Sequence, residues 1–153
     1  LTVYGLQMVT SVAGNYVKTA TTANIAANAT TGLVLYNAGQ SGMIQTVETD
    51  ESAWVVLYDS EAARTADSSR TITQPPTRDA GIIAEFVDTD GGDVHTITPA
   101  SAYVLQAGDG VIYAKVQNLS ASPAQITITA RGTAFTTSTV SSSGIDGGTF
   151  GSG

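Results

Sequence analysis

The stretch VIYAKVQNLSASPAQITITAR (111–131) decides how the rest of the chain is read. In its first half, Ile112, Ala114 and Val116 fall on one side, and Tyr113 and Lys115 on the other. In its second half, Ile126, Ile128 and Ala130 fall on one side, and Thr127, Thr129 and Arg131 on the other. A period of two with one apolar side marks a half-buried strand. The turn-forming residues between the two runs predict a hairpin.

Working outward, strand signals recur. Residues 33–36 are apolar and close at Asn37-Ala38-Gly39. Residues 43–49 alternate, with Ile44, Thr46 and Glu48 on one side and Met43, Gln45 and Val47 on the other. AWVVLY (53–58) is apolar on both faces. That marks a central strand covered on each side, or one with a side against a second chain. Residues 82–87 are similar, broken only by Glu85, and 94–98 form a short strand that Pro99 is expected to end. EAARTADSSR (61–70) carries helix formers and is expected to make a single helical turn in an excursion ending at Pro75-Pro76. Short strands, turn clusters and no long amphipathic helix predict an all-β fold. Its form is an antiparallel β-sandwich of jelly-roll or Ig-like type with extended N- and C-terminal arms. Trp54, Val56, Ile82, Phe86, Ile112, Val116, Ile126 and Ile128 are the expected core.

Three regions follow: an N-terminal arm (1–31), a β-sandwich domain (32–135) and a Ser/Thr/Gly-rich C-terminal tail (136–153). Residues 19–31 (TATTANIAANATT) show neither alternation nor a helical stripe and read as a linker or extended arm. The tail has only Val140, Ile145 and Phe150 as isolated apolar residues, too few to offset its ordering entropy alone.

Composition narrows the function. Charged residues are 12% of the 153, and the net charge is −7. The charged share is about half the usual one of roughly 25%, which points to surface that faces other protein. Six Lys and Arg scattered along an acidic chain do not make a phosphate-binding groove, so no nucleic-acid partner is expected. No cysteine is present for disulfides or thiolate metal sites. No apolar run approaches the roughly 20 residues that span a bilayer, so no membrane insertion is expected.

Little here resembles catalytic chemistry. His95, the single histidine, alternates with Val94 and Thr96 mid-strand and is expected to point outward. A base of that kind needs a nucleophile and an orienting acid beside it. Asp88, Asp90 and Asp93 in VDTDGGDV offer oxygen ligands for calcium. They better suit a tight hairpin turn, since the spacing does not fit an EF-hand loop. Glu48, Asp50, Glu51, Asp59, Glu61 and Glu85 include no pair whose separation sequence can fix for glycoside hydrolysis. No catalytic residue, cofactor site or cofactor is therefore expected. Trp54, Tyr58, Tyr103 and Tyr113 read first as core aromatics, with a glycan-stacking platform as the alternative, for which Tyr103 and Tyr113 are the candidate contacts.

Residues 53–76, 81–89 and 111–132 together have a further quality. An aromatic-apolar strand, an Ala-Arg-Thr-Ala-Asp-x-Ser-Arg excursion, a Gly-led strand and an expected hairpin around Asn-Leu-Ser follow one another. This order resembles small β-sandwich structural proteins of tailed bacteriophage virions, over about residues 41–132. The resemblance implies a virion location, in a tail appendage (fibre or baseplate component) or in capsid decoration, and it transfers no catalytic residue. The expected activity is therefore that of a tail-appendage assembly subunit, with a capsid decoration or cement protein as one alternative. A carbohydrate-binding module that recognises a host surface glycan is the other. The expected partners are further copies of the chain, as a homotrimer, and other virion proteins. Val3, Tyr4, Leu6 and Val9 in the arm and Ile145 and Phe150 in the tail are the candidate contacts.

Overall fold

The computed structural model describes residues 8–9, 13–106, 109–135 and 139–140. Two four-stranded antiparallel sheets face each other as a sandwich. The first contains β2 (Gly14–Thr21), β9 (Thr127–Ala134), β4 (Ser41–Thr49) and β7 (Val94–Val104), in that order. The second contains β3 (Thr30–Leu35), β8 (Ile112–Asn118), β5 (Ala53–Tyr58) and β6 (Ile82–Asp88). A two-stranded ribbon, β1 (Met8–Val9) with β10 (Thr139–Val140), and one helix, α1 (Glu61–Ala66), complete the described elements.

The alternating residues build the interior as expected. Ile112, Ala114, Val116, Ile126, Ile128 and Ala130 are buried between the sheets with Leu35, Ile44, Val47, Val55 and Leu57. Phe86 packs against them, partly buried. A second, smaller core lies on the far side of the second sheet, where Trp54, Val56 and Tyr58 are buried against Ala63, Ile82 and Tyr113. The two-sided apolar pattern of β5 thus has an intramolecular cause, because residues 59–81 fold over its outer face. Ser60 caps α1 by accepting from the Ala63 amide at 3.1 Å.

Several expectations are corrected. β8 and β9 are not a hairpin, because they belong to opposite sheets and residues 119–126 arch between them. Asn118 holds the arch, donating to the carbonyls of Ile25 and Ser122 while its own oxygen accepts from Ser120. The Asp88 turn likewise carries the chain from one sheet to the other rather than closing a hairpin. Pro99 does not end its strand. β7 runs on to Val104 through a cis Thr98–Pro99 bond, and as an edge strand it has no outer partner to miss the absent N–H. The alternation of β4 slips at Gln45, where a bulge lets both Ile44 and Val47 face inward.

The Thr/Ala/Asn segment expected to be a linker begins as sheet. β2 runs to Thr21, each residue paired with β9, and Thr21 and Thr127 join hydroxyls at 2.9 Å. Thr22 and Ile25 are then buried, with the Thr22 hydroxyl accepting from the Ile126 amide. After Thr21 the inward side chains fall at Thr22, Ile25 and Ala29, which does not follow the period of two that marks a strand.

Candidate functional site

The ARTAD-x-SR element becomes a polar cluster over Trp54. Asp67 follows α1 and is its centre. Arg70 Nε donates to both of its carboxylate oxygens at 2.8 and 3.0 Å, and the Tyr58 hydroxyl donates to one of them at 2.5 Å. Lys115 Nζ donates to the Asp67 and Arg70 carbonyls at 2.6 and 3.1 Å and lies 3.6 Å from the Asp67 carboxylate. Arg70 continues to Glu85 at 3.0 Å, and Glu85 accepts from the Trp54 indole at 2.8 Å. The Arg70 and Lys115 charges both lie over the Trp54 ring, 5.2 and 4.7 Å from its centroid.

The electrostatics follow from this packing. Burial disfavours ionised Asp67, but the bonds from Arg70 and Tyr58 and the Lys115 charge outweigh it and hold the carboxyl below its usual range. Burial, and then the bond to Asp67, raise the Tyr58 phenol. Burial lowers the Lys115 ammonium despite Asp67. Lys115, on the outward side of β8 as expected, is nevertheless 3% exposed, because the excursion covers it. The cluster pins residues 61–74 to the sheet and turns its titratable groups towards one another. It acts as a clamp, with its charged groups engaged by one another.

Arg64 is the member of the element that is only half used. Its Nη1 donates to the carbonyls of Leu33 and Ala114 at 3.1 and 3.5 Å, and its guanidinium lies 5.2 Å from the Tyr113 ring centroid. A cleft of about 330 Å³ opens beside it, between α1 and the edge strand β3. Thr30, Thr31, Gly32, Thr65, Ser68 and Lys115 line it with Arg64.

The expected site residues fall as follows. Tyr103 is 5% exposed and is no stacking platform, because its ring lies inside the sandwich and its hydroxyl donates to the Ala38 carbonyl at 2.6 Å. Tyr113 is half-buried beneath Arg64 in the second core. His95 does not point outward: Val94 and Thr96 do, while His95 is half-buried, 5.1 Å from the Phe86 ring and 3.8 Å from the Asp88 carboxylate. Asp88 accepts from the amides of Asp90, Gly91 and Asp93 and from the Thr49 hydroxyl. Asp90 and Asp93 therefore join Asp88 through their backbone and leave their carboxylates exposed. Among the described residues no group of three or more His, Cys, Asp or Glu is placed to hold a metal ion. Val9 lies on β1 opposite Thr139. Val3, Tyr4, Leu6, Ile145 and Phe150 lie outside the described residues.

The two terminal segments meet each other. Met8 faces Val140 and Val9 faces Thr139, in the register that β2 and β9 set from Gly14–Ala134 to Thr21–Thr127. The spans from Val9 to Gly14 and from Ala134 to Thr139 are equal, so one count runs through both ladders. Neither β1 nor β10 has a third strand beside it among the described residues.

The outer face of the first sheet is nearly free of charge. Val17, Arg131, Thr46 and Thr96 make one rung across its four strands, and Thr19, Thr129, Glu48 and Val94 make the next. Glu48 and Arg131 are the charged pair of this face, at 2.6 Å.

Compared with known proteins, the chain matches no family model and no curated protein.

Proposed function

We propose that the chain is a non-catalytic assembly subunit of a tailed-bacteriophage particle, a component of a tail appendage that joins copies of itself and neighbouring virion proteins. The observation that carries the assembly reading is the β1–β10 ribbon, which keeps the register of the β2–β9 ladder. A two-stranded ribbon alone is marginally stable in water, and its unpaired edges accept strands from another chain. The threonine-rich outer face of the first sheet supports the same reading. In a chain of net charge −7 it is a surface on which copies approach with little repulsion. The virion setting rests on the resemblance over residues 41–132.

The test is the native mass of the full chain beside a chain trimmed to residues 13–135, which keeps both four-stranded sheets. A trimer that becomes a monomer on trimming is expected. A full chain that stays monomeric, or an oligomer unchanged by trimming, removes the ribbon from the interface and overturns this reading.

A further inference from the structure

We propose that the cleft between α1 and β3 binds the carboxylate of an acidic saccharide, with Arg64 as its anchor. The cleft lies on the outer side of the second sheet, away from the ribbon, so this inference stands apart from the assembly reading.

The guanidinium is held before any ligand arrives. Its Nη1 is fixed by two backbone carbonyls, Tyr113 lies against it, and 21% of the side chain is exposed. Gly32 makes the space: a Cβ at that position would stand 2.8 Å from Nη1. Among the described residues nothing accepts from Nε or Nη2 at hydrogen-bond distance. The nearest carboxylate, Glu61, is 4.0 Å from Nη2 on a side chain 68% exposed. The Nε/Nη2 edge of an arginine matches the two oxygens of a planar carboxylate.

The other walls of the cleft set the ligand class. Thr30, Thr65 and Ser68 bring three hydroxyls to it, and none has a hydrogen-bond partner among the described residues, while Thr31, paired with the inward Val116, turns its side chain to the other face. Each hydroxyl both donates and accepts, as sugar hydroxyls require. Lys115 also lines the cleft, but Asp67 engages its charge. A single cation, only loosely paired with the exposed Glu61, therefore faces the ligand, which suits a monoanionic carboxylate better than a phosphate dianion. The volume, about 330 Å³, is at the small end of ligand sites and fits a single sugar unit.

The experiment is an amide NMR titration of the full chain with sodium glucuronate, with sodium acetate and glucose as controls. Saturable shifts at Gly32, Arg64, Thr65 and Ser68 are expected with glucuronate and not with glucose. Arg64→Lys keeps the charge and loses the two-pronged edge, so affinity should fall about tenfold. Since Arg64 also holds Leu33, Ser68→Ala is the companion variant. It leaves that hold intact and should weaken glucuronate severalfold with an unchanged native mass. Acetate binding as well as glucuronate would assign the cleft to any carboxylate, such as an acidic side chain of a neighbouring chain, and overturn the saccharide. Absence of saturable shifts at concentrations on the order of 10 mM, or full binding by both variants, overturns the site.

Discussion

Tyr16 and Tyr103, on the two edge strands of the first sheet, meet hydroxyl to hydroxyl at 2.8 Å inside the sandwich. Tyr103 donates onward to the Ala38 carbonyl, which leaves Tyr16 as the donor between them. Each ring lies across the glycine paired with it on the next strand, Gly132 for Tyr16 and Gly42 for Tyr103. A Cβ at either glycine would meet the partner's hydroxyl at 2.8 or 2.7 Å, so the two glycines make room for the chain of bonds.

Removing either hydroxyl breaks this chain unequally. Tyr103→Phe strands both the Tyr16 donor and the Ala38 carbonyl and should cost about 2 kcal/mol in urea unfolding, while Tyr16→Phe should cost about 1. The double variant should cost less than the sum, since the two act through one bond. Burial raises the Tyr16 and Tyr103 phenols above their usual value, so the folded chain holds these protons more tightly than the unfolded one. Their contribution is complete below about pH 10 and is lost as pH rises beyond it. A urea midpoint that holds steady from about pH 8 to about pH 11 would contradict this.

Asp67→Asn keeps the shape of the clamp and removes the charge that Arg70 and Lys115 share. With both cations buried, the loss should be about 3 kcal/mol or more by denaturant unfolding. A loss under about 1 kcal/mol would mean that Glu85 alone compensates them.

Acid should unfold the chain through two carboxylates. Burial opposes ionisation of Asp67 and Asp88, but hydrogen bonds win at both: side chains serve Asp67, and the Gly91, Asp90 and Asp93 amides serve Asp88. Each folded value lies below the unfolded one near 4, so this stability is present above about pH 4 and drains away as pH falls through the depressed values. Asp88→Asn should flatten part of that decline in a pH series of urea midpoints, and an unchanged slope would clear Asp88 of the role.

Trp54→Ala empties the centre of the second core and takes away the ring that two cations contact. A cost of about 3–5 kcal/mol is expected from thermal or urea unfolding, in line with large-to-small changes in packed interiors. A cost near that of a surface substitution would show that residues 59–81 close over the gap.

Sequence periodicity disclosed the strands because one side of each is buried between sheets. Ile112, Ala114 and Val116 and their counterparts Ile126, Ile128 and Ala130 have no other explanation. The pairing of strands was hidden for a local reason. Turn residues such as Asn118 say that the chain reverses, not whether it returns beside itself or crosses to the facing sheet. Lys115 looked like solvent-facing surface because the segment that covers it lies some 45 residues away in sequence. Arg64 is legible as part of a motif, but its seat depends on Gly32, on β3, where a Cβ would meet its guanidinium. Tyr103 carries no such signal, because Pro99 hides that β7 continues to Val104, and only the strand's continuation turns this ring into the core.

The ribbon also fixes how the molecule bears load. Met8 and Val140 lie side by side at one end, and the hydrogen bonds of an antiparallel pair run across the strands. A force that parts these two residues pulls along those bonds and opens the ladder one rung at a time, down into β2 and β9, until Tyr16 is drawn from Tyr103. A pull shared by both strands along their length leaves the rungs between them unloaded and passes as shear into the β9–β4 ladder, whose rungs bear it together. Neighbours that grip β1 and β10 as a unit therefore hold the sandwich in its strong direction, and a neighbour that grips only one strand holds it in the weak one.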